Sequence, residues 1–172
     1  MPVETPLLSL PPAQAPGSKA HWAGLHGAAR ALAIAEAASQ HRGLSLVIST
    51  DTSAADSLEQ ELRFFSPELP VLSFPDWETL PYDRFSPHQD IISQRLRTLF
   101  QLPQVDQGIL VVPMTTLLHR LPPRSFLGGS VLMLELGQRL DIDQMRLNLD
   151  AAGYRCVDTV YEHGDYAVRG AL

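Results

Sequence analysis

The feature that most constrains this chain is a repeated change of hydrophobic period. Short apolar runs, Leu44-Ser-Leu-Val-Ile-Ser49, Val71-Leu-Ser-Phe74 and Gly108-Ile-Leu-Val-Val112, alternate with stretches whose apolar residues recur every three or four positions. A strand that is apolar at consecutive positions has no face to give to water, so it belongs in a sheet covered on both sides. Three rounds of strand and helix imply right-handed crossovers and a parallel sheet between helices. The fold class is α/β.

The helical stretches can be placed. Trp22, Leu25, Ala29 and Leu32 share a spacing that predicts a first helix with a small-residue face, ending near Gly43. Leu58, Leu62 and Phe65 mark a second helix, with Ser53 and Asp56 as a plausible N-cap pair. Ser86-Pro87-His88-Gln89 has capping-box spacing with proline at the first helical position, and it opens a third helix carrying Ile92, Leu96 and Leu99. A short helix is expected from Thr115 to Arg120. Beyond Pro122-Pro123 and Gly128-Gly129 the pattern shifts. Val131-Leu-Met-Leu134 reads as a strand, and Asp141 caps a helix whose Ile142, Met145, Leu149 and Ala152 share a face. Gly153 sits where that helix stops, and a hairpin-like stretch runs from Tyr154 through Gly164-Asp165.

The first twenty residues hold five of the fourteen prolines and little periodicity, so residues 1–20 read as a flexible leader. Residues 21–130 form the α/β domain and 131–172 the beginning of a second. The chain stops at Gly170-Ala-Leu172 within a strand-like stretch, which reads as a piece of something longer.

Composition excludes several classes. The balance of 13 Lys+Arg against 19 Asp+Glu leaves a net charge of -6, and Lys19 is the only lysine. Before residue 130 there are nine basic against twelve acidic residues, and after it four against seven, so neither part has the basic excess of a main nucleic-acid grip. No run approaches the ~18 to 20 apolar residues of a membrane helix, and no signal peptide opens the chain, so a cytoplasmic location is expected. Cys156 has no second thiol to pair with and reads as a small buried hydrophobe.

Four constellations carry possible chemistry. The stretch Ala23-Gly-Leu-His-Gly-Ala-Ala-Arg30, with Gly24 and Gly27, stands where a nucleotide-binding protein would carry a glycine-rich turn, but it has neither the lysine for the β/γ-phosphates nor the hydroxyl for magnesium. Backbone amides alone give weak anion binding. His21, His26, His41, His88, His119 and His163 show no recurring ligand spacing with Cys, Asp or Glu, so no metal is expected. Asp76, Glu78, Asp83 and Asp90 cluster in a proline-rich loop without a nucleophile and base beside them, so no catalytic residue is assigned. Trp77, Leu80, Tyr82 and Phe85 could form a contact surface or fold back over the sheet. The frequency with which such rings are buried favours the second reading.

One long motif goes further. Asp76-Trp-Glu-Thr-Leu-Pro-Tyr-Asp-Arg-Phe-Ser-Pro-His-Gln-Asp-Ile-Ile-Ser93 resembles the signature of the transcription-repair coupling factors, and Ile109-Leu-Val-Val-Pro-Met-Thr-Thr-Leu118 resembles the strand that follows it. Glu162-His-Gly-Asp-Tyr-Ala-Val-Arg-Gly170 is similar to a motif shared by those factors and the helicase UvrB. The resemblance spans about residues 21–172. It implies a UvrB-like module: a parallel-sheet, degenerate P-loop NTPase or helicase-like domain, followed by the start of a smaller inserted α+β domain that binds UvrA. It implies no cofactor, a parent that displaces stalled RNA polymerase from DNA, and partner contact through Arg169 flanked by Tyr166 and Gly170. The loop from Trp77 to Pro87 is too short for the long aromatic hairpin with which UvrB probes DNA. Two rivals stay open, a nucleotide-binding helicase-type ATPase and a DNA-wrapping support for motor domains.

Overall fold

The computed structural model describes residues 16–80, 82–125, 127 and 136–170. The expected strand Val131–Leu134 and most of the expected leader lie outside these. The chain divides into two compact units, Met1–Pro122 and Pro123–Leu172.

The first unit contains α1 (Ala29–Gln40), β1 (Leu44–Ser49), α2 (Thr52–Phe65), β2 (Val71–Ser73), α3 (Gln89–Gln101) and β3 (Gly108–Pro113). The strands form a parallel sheet in the order β1-β3-β2. The most continuously apolar run takes the centre, and every residue of β3 is buried. Its side chains alternate between two cores. Ile109 and Val111, with Val71, meet Ala31, Ala35 and Ala38 of α1 and Ala55, Leu58 and Leu62 of α2. Leu110, Val112 and Phe74 meet Leu99 and Leu102 on the other face. The methyl side chains of α1 let its backbone lie close to the sheet. That second face is incompletely covered, because Leu46 and Ile48 of β1 stay exposed. Gly108 permits another close approach: a Cβ there would stand 2.7 Å from the Pro70 carbonyl oxygen.

Helix starts depart from the sequence reading in three places. Helix α1 begins at Ala29, so Trp22 and Leu25 lie outside it; Gly24 and Gly27 have φ of 74° and 53°, which breaks the helical path. Helix α2 is capped by Asp51, whose carboxylate accepts from the Ala54 amide at 2.8 Å, and Ser53 is already helical. Helix α3 starts at Gln89 after His88, whose ψ of 140° is extended and whose Nδ1 accepts from the Asp90 amide at 3.3 Å. Ser86 and Pro87 therefore precede the helix. The short helix expected near Thr115 is a 3-10 turn, Met114–Leu118.

The second unit contains α4 (Ile142–Ala151), β4 (Arg155–Cys156) and β5 (Asp165–Tyr166). Asp141 caps α4 by accepting from the Gln144 amide at 3.0 Å, and Gly153 follows it with φ of 87°. The expected hairpin is not one, because β4 and β5 run parallel. Residues 157–164 carry the chain back to the starting end before it pairs, as parallel pairing requires. The Arg155 amide then donates to the Gly164 carbonyl at 2.8 Å and the Val157 amide to that of Tyr166 at 2.8 Å. Strands this short cover little, and Cys156 is exposed rather than buried. Among the described residues no helix is long and apolar enough to cross a membrane.

Candidate functional site

The glycine loop at the start of α1 has no lysine, serine or threonine between Gly24 and Arg30. Gly24 and Gly27 are exposed, and a Cβ on either would meet nothing within 4 Å. Ala28, the N-cap residue of α1, offers no side-chain cap. Among the described residues no strand precedes the helix.

The long motif loop is organised by Arg95, which the sequence reading did not single out. The chain leaves β2 through Phe74 and turns at Pro75, and Arg95 of α3 lies between two rings. Its guanidinium carbon is 4.1 Å from the Phe74 ring centre and 4.0 Å from that of Trp77. The residue is 2% exposed, and its Nη1 donates to the Pro75 carbonyl. Burial lowers its pKa and the charge of Asp76 opposes that shift. Arginine keeps its proton in proteins, so a cation is held between two quadrupoles. A signal existed, since Arg95 lies four residues from both Ile91 and Leu99, on the helix stripe that faces the sheet.

Asp76 ties the loop to the next connection by accepting from the Thr115 hydroxyl. Burial pushes its pKa up, but the Thr115 hydroxyl, the Trp77 and Glu78 amides and the charge of His119 together hold it below its ordinary value. The other carboxylates are local: Asp83 accepts from the Arg84 amide at 2.7 Å, and Asp90 stands 3.3 Å from His88 Nδ1. Among the described residues no group of His, Cys, Asp and Glu could hold a metal ion.

The expectation that Trp77, Leu80, Tyr82 and Phe85 fold over the sheet fails for the last three. Trp77 is half-buried, packed on Arg95, whereas Leu80, Tyr82 and Phe85 are exposed. Glu78 and Tyr82 sit at positive φ, 57° and 69°, an uncommon conformation for side-chain-bearing residues.

In the second unit Arg169 and Gly170 are exposed and Tyr166 is half-buried. Strand β5 ends at Tyr166, so strand alternation does not reach Arg169. Its Nη2 donates to the Asp158 carbonyl at 3.3 Å. Arg155 holds the nearby acids, 3.0 Å from Asp165 and 3.8 Å from Glu162. Tyr166 donates its hydroxyl to Asp150 Oδ1 at 2.7 Å, and that bond raises the pKa of the phenol. Tyr166 thus braces β5 against α4, and Arg169 extends beyond it.

Comparison with known proteins gives consistent relatives, although no protein-family model matches the chain. It is 53% identical over 148 residues to the "Transcription-repair-coupling factor" of Escherichia coli (strain K12), which is 86% of this chain and 13% of that protein. The protein of the same name from Haemophilus influenzae is 53% identical over 144 residues, 84% of this chain and 12% of the relative. That of Myxococcus xanthus is 32% identical over 165 residues, 91% of this chain and 14% of the relative. On that extent and identity the chain belongs to the transcription-repair-coupling factor family.

Proposed function

We propose that this chain is a non-catalytic module of a transcription-repair coupling factor, which brings UvrA to stalled RNA polymerase in cytoplasmic nucleotide-excision repair. In this reading residues 21–130 are a degenerate helicase-like α/β domain and residues 131–172 open the UvrA-binding domain. Contacts with RNA polymerase and DNA belong to the rest of the longer protein. The parallel sheet between helices supports the helicase-like assignment. The missing lysine and hydroxyl at Gly24–Arg30 favour recruitment over the ATPase alternative.

The observation that carries the recruitment reading is the state of Arg169. The neighbouring carboxylates Glu162 and Asp165 are matched to Arg155, which leaves the exposed Arg169 guanidinium with one carbonyl partner and free donors. A planar fork of five donors suits a carboxylate on a partner surface, where arginine is enriched.

The test is Arg169→Glu in the full-length coupling factor. The melting temperature should stay near that of the parent, while UvrA binding weakens at least about tenfold, or ~1.4 kcal/mol. Unchanged binding, or unfolding together with loss of binding, removes Arg169 from the contact. Calorimetry on the chain with magnesium and ATP should show no micromolar binding; such binding would instead support the ATPase alternative.

A further inference from the structure

The connection between β4 and β5 is tied down on three sides. At its ends the Val157 amide donates to the Tyr166 carbonyl and the Arg155 amide to that of Gly164, both at 2.8 Å. Arg155 Nη2 holds Asp165 at 3.0 Å and Glu162 at 3.8 Å, and the Asp165 amide donates to the Glu162 carbonyl at 3.2 Å. From beyond β5, Arg169 Nη2 donates to the Asp158 carbonyl at 3.3 Å. Between these ties the loop presents two apolar side chains to solvent, Val160 at 51% and Tyr161 at 85% exposure.

Tyr161 also stands on the wall of an open hollow of about 590 Å³, which it shares with Arg155, Asp158, Glu162 and Asp165. Three carboxylates against one guanidinium leave the hollow acidic. Arg155 engages Glu162 and Asp165, whereas among the described residues no side chain pairs with the Asp158 carboxylate.

We propose that this braced loop is a second part of the recruitment contact: Tyr161 and the acidic hollow beside it take a basic side chain of UvrA, next to the point where Arg169 takes a carboxylate. The inference rests on the recruitment reading of Arg169. Because Arg169 bonds the backbone of this same loop, the two contacts belong to one surface. A tyrosine face attracts a cation, and the unmatched Asp158 on the same hollow supplies the opposite charge. The same carboxylates repel a phosphate backbone, so the occupant is a protein side chain and not a nucleic acid. The ties at both ends order the loop before binding, which lowers the entropic cost of association, and tyrosine and arginine are the residue types on which interface energy concentrates.

The experiment measures UvrA binding to the full-length coupling factor by calorimetry. Tyr161→Ala and Asp158→Lys should each weaken binding at least about tenfold. The melting temperature should not move, since both side chains are exposed. Tyr161→Phe keeps the ring face and should bind like the parent. Unchanged binding in Y161A or in D158K overturns the proposal, and so does a loss in Y161F equal to that in Y161A. Should Y161A fail to fold, Tyr161→Leu carries the same comparison with Y161F and the same deciding outcomes. Arg169→Glu separates this inference from the reading beneath it. If R169E loses binding while Y161A keeps it, only the Tyr161 contact is removed; if both bind like the parent, the recruitment reading falls as well.

Discussion

Arg95→Ala removes the cation from between Phe74 and Trp77, and its cost can be worked from the geometry. Two ring faces at 4.1 and 4.0 Å act on a group that is 2% exposed. Each desolvated cation–π contact contributes about 1–2 kcal/mol. The hydrogen bond from a charged donor to the Pro75 carbonyl adds about 1.5–3 kcal/mol. Relief of the burial penalty on the charge offsets part of this, so the expected net loss is about 3 kcal/mol, the low end for breaking a buried charge interaction. In a unit of this size that is a fall in Tm of roughly 12–24 °C. The assay is urea and thermal unfolding followed by Trp77 fluorescence in a Trp22→Phe background. Arg95→Met fills the slot between the rings without charge or donor and should recover about half of the loss. A change below ~1 kcal/mol for R95A at an unchanged urea slope would refute the view that the sandwiched cation holds the motif loop.

Gly108→Ala places a Cβ 2.7 Å from the Pro70 carbonyl oxygen and 3.1 Å from Val105 Cγ1. Backbone on that side cannot yield easily, so urea denaturation should show a loss of about 1–3 kcal/mol, and a neutral result would mean that β2 and β3 can separate freely. Asp76 titrates below its ordinary value in the folded chain, so it contributes stability above the unfolded carboxylate pKa and loses that contribution as pH falls through the folded value. Asp76→Asn should therefore lower Tm at neutral pH and flatten its decline between about pH 4 and lower values, and an identical acid limb for both proteins would remove Asp76 from the account.

Much of the α/β unit was written in local pattern. The runs at Leu44–Ser49 and Gly108–Val112 became β1 and β3, and the three- and four-residue spacings around Leu58 and Leu99 became α2 and α3. Asp141 and Gly153 marked the ends of α4 because a cap and a left-handed stop are chemistry of single residues. These features depend on neighbours within a few positions, so the sequence by itself determines them.

Tertiary structure decided the partners across longer separations. Arg95 meets a carbonyl twenty positions away and Asp76 a hydroxyl thirty-nine away, and neither spacing has a helical or strand period to betray it. Leu80, Tyr82 and Phe85 are exposed, and the positive φ at Glu78 and Tyr82 is a backbone state that the residue types do not favour. The parallel pairing of β4 and β5 depended on the path of residues 157–164, and the carbonyl that Arg169 contacts depended on that same path. Local pattern assigns a residue its period and its face; which side chain waits on that face is settled only when the whole backbone closes around it.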